Sequence, residues 1–379
     1  MPDKHAILSA SGSHRWLECT PSAVLESRVP DPGSPYAMEG TIAHEIAACM
    51  LLGEDPPEGI GDHPSFTRAM VDHAEEYRDF VMEQLAEARK TDPMATLLVE
   101  RRLDFSDYVP EGFGTGDAVI VADGMLRVID YKYGQGVKVE ATGNSQMRLY
   151  ALGALSEFGF IYNVEEVSTT IFQPRLGWID TEVLMTEALL NWGRYVKEIA
   201  AIAARGEGEK KAGPHCKFCK VADRCPALAA YQMETVSRAF DEPDELSDSE
   251  IAEILLRKKD FEGWLKRICD YALDQAINHG AAFPGMKLVA GTSRRTVTKP
   301  DELVRYCVDH QLAEENKLYK PRELITLGEL EKLIGTKKVA KELGAFIEKP
   351  EGKPTLVSVK DKRPEWTAEQ SIINQFEEE

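Results

Sequence analysis

The alternation of apolar and polar residues predicts four strands in the first half of the chain. Strand-like segments rich in β-branched residues occupy residues 95–104, 113–121, 125–132 and 166–173. Asp123-Gly124 separates the second segment from the third and is a strong signal for a two-residue hairpin turn. The pattern therefore predicts three consecutive strands, the last two joined as a hairpin, and a fourth strand later in the chain.

Apolar residues at helical spacing predict helices around these strands. A short helix is predicted for residues 40–53, with Thr41 as its N-cap and Gly53 as its end, and Asn144 or Ser145 caps a helix that reaches about Phe158. The longer periodic segments are residues 66–90, 181–205 and 248–279. The order is helix, three strands, helix, strand, which predicts an α/β fold with a mixed sheet.

An acidic, turn-rich stretch at residues 241–250 predicts a domain boundary. Residues 1–240 then form the α/β domain, and residues 241–379 form an accessory domain that is mostly helical and carries no recognisable chemical motif. The composition is that of an ordinary globular protein, with 43% hydrophobic and 29% charged residues. No apolar run approaches the roughly 20 residues of a membrane span, and the N-terminus lacks the apolar stretch of a signal peptide. We expect a cytoplasmic protein without a membrane partner.

The predicted hairpin brings acidic side chains together. If Ala122 faces Met125 across the turn, Asp117 lies opposite Asp130, and Lys132 projects from the same face as Asp130. Two facing carboxylates repel unless a cation lies between them, and hard oxygen ligands suit Mg²⁺ or Mn²⁺. A neighbouring lysine can orient the attacking water. The alternative is that these charges lie on a solvated sheet face, but the apolar run before Asp130 favours a site.

The same residues resemble a known nuclease superfamily. Asp117, followed after twelve residues by Asp130-Tyr131-Lys132, resembles the PD-(D/E)xK motif, and Gln146 with Tyr150 resembles the QxxxY signature of the RecB-like branch. The resemblance covers residues 11–226 and implies a restriction-endonuclease-like core. Each motif is weak alone, but the ordered set is specific.

The resemblance also assigns roles to residues. His44, in a segment similar to the upstream GxxxH motif of this branch, and Glu100, on the first predicted strand, would join Asp117 and Asp130 as metal ligands. Taken alone, His44 would be read as a structural histidine and Glu100 as an exposed strand residue. In the same reading, Gln146 and Tyr150 orient the substrate or Lys132.

The function implied by the resemblance is metal-dependent hydrolysis of DNA, as in exonucleases of recombination, repair or phage replication. The expected partners are DNA ends or single strands, together with replication or recombination proteins. The chain layout is similar to that of phage-encoded nucleases, so the expected location is the cytoplasm of a bacterium or of an infected host. The net charge of −19 means that DNA would bind through a local basic channel and bound cations. The alternatives are a non-catalytic DNA-binding or recombination-accessory protein with a degenerate nuclease fold, and an RNA-processing enzyme.

A cluster of cysteines predicts a second metal centre. Cys216, Cys219 and Cys225 have the spacing of ligands to one soft metal, and the fourth ligand is either His215 or Cys19. Local chemistry alone would favour a structural Zn²⁺. The chain is also similar to iron–sulfur nucleases, such as CRISPR-associated adaptation nucleases and AddB-type subunits, in which one cysteine precedes the core and three follow it. That resemblance implies a [4Fe–4S] cluster on Cys19 and the three later cysteines, whereas Cys49, Cys269 and Cys307 are expected to be ordinary buried thiols.

Overall fold

A mixed five-stranded sheet forms the centre of the protein in this computed structural model. The structure describes residues 6–30, 35–134, 136–238, 247–289, 300–309, 326–343 and 346–347. The strands follow one another across the sheet in sequence order: β1 (Thr96–Asp104), β2 (Phe113–Ala122), β3 (Met125–Tyr131), β4 (Glu166–Gln173) and β5 (Trp178–Met185). Strands β3 and β4 are parallel, and the other neighbouring pairs are antiparallel.

Helices precede, interrupt and follow the strands. They are α1 (Ser13–Trp16), α2 (Ser22–Glu26), α3 (Pro35–Leu52), α4 (Arg68–Thr91), α5 (Ser145–Tyr162), α6 (Thr186–Ala204), α7 (Pro226–Arg238), α8 (Asp248–Asn278), α9 (Pro300–Asp309), α10 (Leu327–Ile334) and α11 (Thr336–Leu343). The predicted α/β class and the predicted order of helix, three strands, helix and strand are confirmed.

The sheet is covered on both faces, which gives three layers. The α4-side core lies between the sheet and helices α3 and α4, and the α5-side core lies between the sheet and helices α5 and α6. Helix α4 supplies its core with residues three or four positions apart, as an amphipathic helix requires. These buried residues are Met70, Ala74, Tyr77, Val81, Leu85 and Ala88. Helix α5 lies in the crossover between the parallel strands β3 and β4, which need such a connection.

The N-terminal segment is tied to the start of helix α5. Trp16 is 1% exposed and contributes to the α5-side core, and its indole nitrogen donates to the carbonyl of Ser9. The buried hydroxyls of Ser13 and Ser145 form a hydrogen bond of 2.6 Å across 132 positions of sequence. Helix α1 therefore supports the first turn of helix α5.

Two predicted helix starts differ from the structure. Residues 181–185 belong to strand β5 and not to a helix, because the segment 178–185 alternates between buried or half-buried and exposed side chains as an edge strand does. Thr41 is not an N-cap, since helix α3 begins six residues earlier and the Thr41 hydroxyl donates to the carbonyl of Ala37. Gly53 does end that helix, with a left-handed φ of 72°.

The described part of the region after residue 241 is mostly helical, and residues 279–289 are irregular. None of the described residues of helix α8 is buried. Helices α10 and α11 pack on helix α4, where Val339 is 2% exposed and Asp72 accepts a hydrogen bond from the backbone nitrogen of Lys337. The predicted boundary at residue 241 lies outside the described residues. Among the described helices, none combines the length and hydropathy of a membrane-spanning segment.

Candidate functional site

Strand β1 reverses its side-chain alternation at Glu100. Leu98 and Leu103 both contact the α5-side core, although five residues of regular strand would place them on opposite faces. The reversal occurs at Glu100, whose φ of 50° lies in the left-handed region. That conformation is unfavourable for a residue with a Cβ atom, and such strain clusters at functional sites. The irregularity acts as a bulge does and redirects the Glu100 side chain.

Strand β2 reverses at Asp117, the residue opposite Glu100. A Cβ atom at Gly116 would meet Val119 Cγ2 at 3.2 Å, so these two positions share a face although they are three residues apart. Glu100 and Asp117 are the unpaired residues of β1 and β2 at this level. Because each strand has one such residue, the pairs on both sides of the irregularity keep the same register. Glu100 and Asp117 therefore lie side by side between two regular segments of sheet.

Three side chains from separate elements converge at this irregularity. His44 on helix α3, Glu100 on β1 and Asp117 on β2 each offer one ligand atom, and these atoms all lie within 4.8 Å of one another. His44 Nδ1 lies 3.2 Å from Asp117 Oδ1. One imidazole and two carboxylates form a mixed nitrogen and oxygen donor set that suits Mn²⁺ or Mg²⁺. Asp130, the fourth ligand that the sequence predicts, lies outside this group of three.

The β2–β3 hairpin has the predicted register, but its last predicted pair is not formed. Ala122 pairs with Met125 and the ladder continues only to Ala118. Asp117 leaves the ladder, and its Oδ2 accepts a hydrogen bond of 2.7 Å from the backbone nitrogen of Tyr131. Asp117 therefore does not pair with Asp130, as the sequence predicts, but accepts a hydrogen bond from the backbone of the next residue, Tyr131.

Asp130 belongs to a buried polar chain that leads into helix α5. Its side chain is almost inaccessible, and Lys132 Nζ lies 2.9 Å from its Oδ2. Lys132 Nζ also donates to Gln146 Oε1 at 3.3 Å. Gln146 Nε2 donates to Asp130 Oδ1 at 3.4 Å and to the Tyr150 hydroxyl at 3.2 Å. Apart from the ion pair with Lys132, the buried Asp130 Oδ2 accepts no hydrogen bond, which leaves lone pairs for a cation.

Helix α5 is positioned so that this chain can form. The Asn144 side chain caps the helix and accepts hydrogen bonds from the backbone nitrogens of Gln146 and Met147. The Tyr150 ring lies directly over Gly114 on β2, where a Cβ atom would come within 2.5 Å of Tyr150 Cε1. Glycine at 114 is therefore required for the close approach of the ring to the sheet.

The side chains of the site carry more negative than positive charge. Burial would lower the pKa of His44, but the Asp117 carboxylate outweighs it and raises this pKa to about 9. Burial, and then Asp117, raise the pKa of Glu100 to about 7. Burial also raises the pKa of Asp130. For Asp117 burial is outweighed by His44, which lowers its pKa. When all are ionised, three carboxylates face the two cations His44 and Lys132, and a divalent ion would correct this imbalance.

A second candidate site is a small cavity between the N-terminal segment and the segment after helix α6. The four cysteines predicted to bind one centre all line it: Cys19, Cys216, Cys219 and Cys225. The lining also includes four basic side chains and no acidic one. Its basic members are Arg15, Lys210, Lys211 and His215. The charged end of Lys211 pairs with Glu18, and His215 Nε2 lies against the carbonyl of Lys211, so these two basic groups are engaged outside the cavity.

The spacing of the cysteines is wider than one zinc ion requires. All four lie in the described part of the chain, yet no three of their sulfur atoms are within 4.8 Å of one another. Thiolates around a single Zn²⁺ would be about 3.8 Å apart, given Zn–S bonds of about 2.3 Å. Burial raises the pKa of Cys219 to about 11 and also raises that of Cys19. Thiols in this setting stay protonated unless a metal centre displaces the proton.

The other cysteines do not all fit the expectation of buried thiols. Cys49 is half-buried and Cys269 is exposed, so the prediction is wrong for Cys269, which lies on the open surface of helix α8. The side chain of Cys307 lies outside the described residues. His215, the alternative fourth ligand, lines the cavity, and its Nε2 lies 2.8 Å from the carbonyl of Lys211.

Sequence reasoning missed the polar residues that hold the segment between Lys132 and helix α5. Trp178, Asp180 and Glu182 alternate along β5 and bind the backbone of residues 139, 141 and 143 in turn. Glu182 also pairs with Arg148 on helix α5, whose Nε donates to Glu182 Oε2 at 2.8 Å. The two-residue period of polar side chains in 178–182 was the available signal, and the helical prediction for 181–205 obscured it.

Comparison with known proteins identifies a family but no activity. Residues 5–364 match the family described as "Protein of unknown function (DUF2800)". A solved structure described as "Crystal structure of SSO0001" is 14% identical, with an alignment that covers 57% of this chain and 96% of that one at a TM-score of 0.22. A TM-score this low carries no argument about fold or function.

Proposed function

The chain belongs to the DUF2800 family, and from its two sites we propose that it is a metal-dependent deoxyribonuclease that hydrolyses phosphodiester bonds. The observation that carries the proposal is the convergence of His44, Glu100 and Asp117 at a strained point of the sheet. A strained backbone that re-aims an acidic side chain towards two other potential ligands is difficult to explain by stability alone.

The second support is the buried chain beside these ligands. Asp130 lies on the next strand, β3, and Lys132 directly follows that strand, while Gln146 and Tyr150 fix the position of the lysine from helix α5. Lys132 is held by Asp130, and although burial would lower its pKa, the Asp130 and Asp117 carboxylates outweigh burial and raise it. The lysine therefore stays charged, and its role is to orient a water molecule and stabilise the negative phosphate rather than to remove a proton.

The chemistry follows from these two groups of residues. A bound Mg²⁺ or Mn²⁺ would polarise the scissile phosphate and lower the pKa of a coordinated water. His44, Glu100, Asp117 and Asp130 would hold the ion, and Lys132 would position the water for in-line attack. Lys132 is paired with Asp130, and Gln146, supported by Tyr150, would hold the lysine in that position next to the phosphate.

DNA as the substrate rests on the resemblance to PD-(D/E)xK nucleases of the RecB-like QxxxY branch. The order of the motif residues along helix α3, strands β1 to β3 and helix α5 is the order in that branch. End-processing enzymes are common there, so we propose an exonuclease that acts on DNA ends or single strands in recombination, repair or phage replication, in a bacterial or infected-host cytoplasm. The strongly acidic chain requires that cations at the site offset its overall repulsion of DNA.

For the cysteine cavity we propose a [4Fe–4S] cluster on Cys19, Cys216, Cys219 and Cys225. The convergence of the four cysteines on one cavity supports a metal centre there, and the resemblance to iron–sulfur nucleases favours a cluster over the alternative, a structural Zn²⁺. The cluster would join two segments about two hundred residues apart, which stabilises the fold by restricting the unfolded chain.

The test of the nuclease proposal uses end-labelled linear DNA in single- and double-stranded form, with matched RNA as the competing substrate. We expect DNA shortening that requires Mg²⁺ or Mn²⁺ and that falls by at least about 10³-fold in Asp130→Asn. Asp107→Asn is the control, since Asp107 is an exposed aspartate outside the site.

Folded wild-type protein that binds DNA but never cleaves it would favour a non-catalytic DNA-binding or recombination-accessory protein. Preferential cleavage of the RNA would instead indicate an RNA-processing enzyme. Iron and sulfide content with a broad absorbance near roughly 400 nm in anaerobically purified protein would support the cluster, whereas colourless protein that contains zinc would refute it.

A further inference from the structure

Two buried hydrogen-bond donors without partners line the cysteine cavity. The Arg15 Nη1 and Ser22 Oγ atoms are inaccessible to solvent and have no hydrogen-bond partner, and both residues belong to the cavity lining. Ser22 is 2% exposed. A buried polar group that is left unpaired costs roughly 1–3 kcal/mol, and more for a charged group. Two such donors in one cavity indicate that the cavity normally holds an acceptor.

Arg15 is fixed in place rather than free to leave the cavity. Its Nε donates to Glu26 Oε2 at 2.8 Å, and both side chains are largely buried. The other Glu26 oxygen accepts a hydrogen bond of 2.7 Å from the backbone nitrogen of Lys220, the residue after Cys219. Glu26 therefore connects Arg15 to the later cysteine segment and leaves the Nη1 group of the guanidinium as an unused donor.

The protein groups around the two donors do not supply the missing acceptor. The cavity lining contains no carboxylate. The cysteine sulfurs and any inorganic sulfide bound among them are the acceptors that the chemistry of the site provides. Hydrogen bonds and positive charge near the sulfurs stabilise the reduced, more negative state of an iron–sulfur centre and so raise its reduction potential.

We propose that Arg15 and Ser22 donate hydrogen bonds to sulfur atoms of the metal centre in this cavity and raise its reduction potential. This inference rests on the proposed iron–sulfur cluster. Arg15 and Ser22 are positioning residues for the cluster and not ligands, so removing either donor leaves the four thiolates in place. The removal of the Ser22 hydroxyl tests the hydrogen bond alone, and the removal of the Arg15 guanidinium tests hydrogen bond and charge together.

The experiment measures the midpoint reduction potential of the full chain, purified anaerobically, by mediated titration with electron paramagnetic resonance detection. We expect a more negative potential in Ser22→Ala and a larger shift in the same direction in Arg15→Gln. Ser27→Ala is the matched control, because this serine ends the same helix and its hydroxyl is already bonded to the carbonyl of Val24. Arg28→Gln is the control for an exposed arginine of the same segment.

The Fe–S stretching bands in resonance Raman spectra give a second readout that does not require reduction. We expect them to move to higher frequency in Ser22→Ala and Arg15→Gln, because a sulfur that loses a hydrogen bond binds iron more strongly. If Arg15→Gln fails to retain iron, Ser22→Ala decides. A full iron complement with wild-type potential and bands in Ser22→Ala refutes the inference but leaves the cluster intact. Zinc in place of iron in the wild-type protein refutes the proposed cluster, and this inference with it.

Discussion

Replacing Glu100 by glutamine should stabilise the metal-free protein but should leave the metal-bound protein less stable than the wild type. Glu100 has an ordinary pKa of 4.5, which burial and Asp117 raise to about 7 in the folded protein. An acid whose folded pKa lies above its unfolded pKa binds its proton more tightly in the native state. The metal-free protein therefore loses stability as the pH rises from about 4.5 to about 7, and the loss is complete above the folded pKa.

The size of this loss follows from the pKa change. At about 1.4 kcal/mol per pKa unit, the change would correspond to about 3 kcal/mol for a fully shielded group. Glu100 is an exposed residue, and solvent screening reduces the expected effect to roughly 1 kcal/mol. Glutamine resembles the protonated acid, so metal-free Glu100→Gln should be more stable than the wild type by about this amount near pH 8.

Added Mn²⁺ should make the wild type more stable than Glu100→Gln. A ligand present at about 100 times its Kd stabilises the folded protein by about 2.7 kcal/mol, and the variant, which lacks one carboxylate ligand, should gain much less. The assay is thermal unfolding of both proteins near pH 8, with chelator and then with saturating Mn²⁺. Glu166→Gln is the control, because Glu166 is an exposed glutamate at the start of β4. The reasoning would be overturned if Glu100→Gln were less stable than the wild type in chelator and were stabilised by Mn²⁺ as much as the wild type. That result would show that Glu100 is a structural hydrogen-bond acceptor.

Two further predictions concern the pH and the packing of the same site. Because His44 is protonated below a pKa of about 9 and must lose its proton to bind a metal, Mn²⁺ affinity should rise as the pH increases from about 7 to about 9. Titration calorimetry in buffers of different ionisation enthalpy should detect the released proton, and an affinity that is independent of pH would exclude His44 as a ligand. Gly114→Ala should displace the Tyr150 ring, since the new Cβ would lie 2.5 Å from its Cε1, at a cost of about 1–3 kcal/mol of stability. The cost should largely disappear when Tyr150 is itself alanine, and equal costs in both backgrounds by urea unfolding would contradict the contact.

Much of the fold could be read from local patterns along the chain. Strands β1 to β4 are short apolar segments bounded by turn residues, the Asp123-Gly124 turn favours a hairpin, and Asn144 is a strong N-cap. Each of these signals depends on neighbouring residues only. Residues 181–185 of strand β5 were assigned to a helix because they run directly into helix α6, so the end of the strand was mistaken for the first turn of that helix.

The sequence by itself determined the elements, the hairpin register and the residue types that could bind a metal, because these depend on side-chain period and local backbone preference. Only the tertiary structure decided how those residues meet. The paired irregularity at Glu100 and Asp117 reverses the side-chain alternation of both strands at one level while their register is kept, and only the packed sheet shows that the two reversals coincide. The unpaired donors of Arg15 and Ser22 are likewise visible only after two segments far apart in sequence have closed around one cavity. Both features arise from long-range packing, in which distant parts of the chain fix each other's geometry.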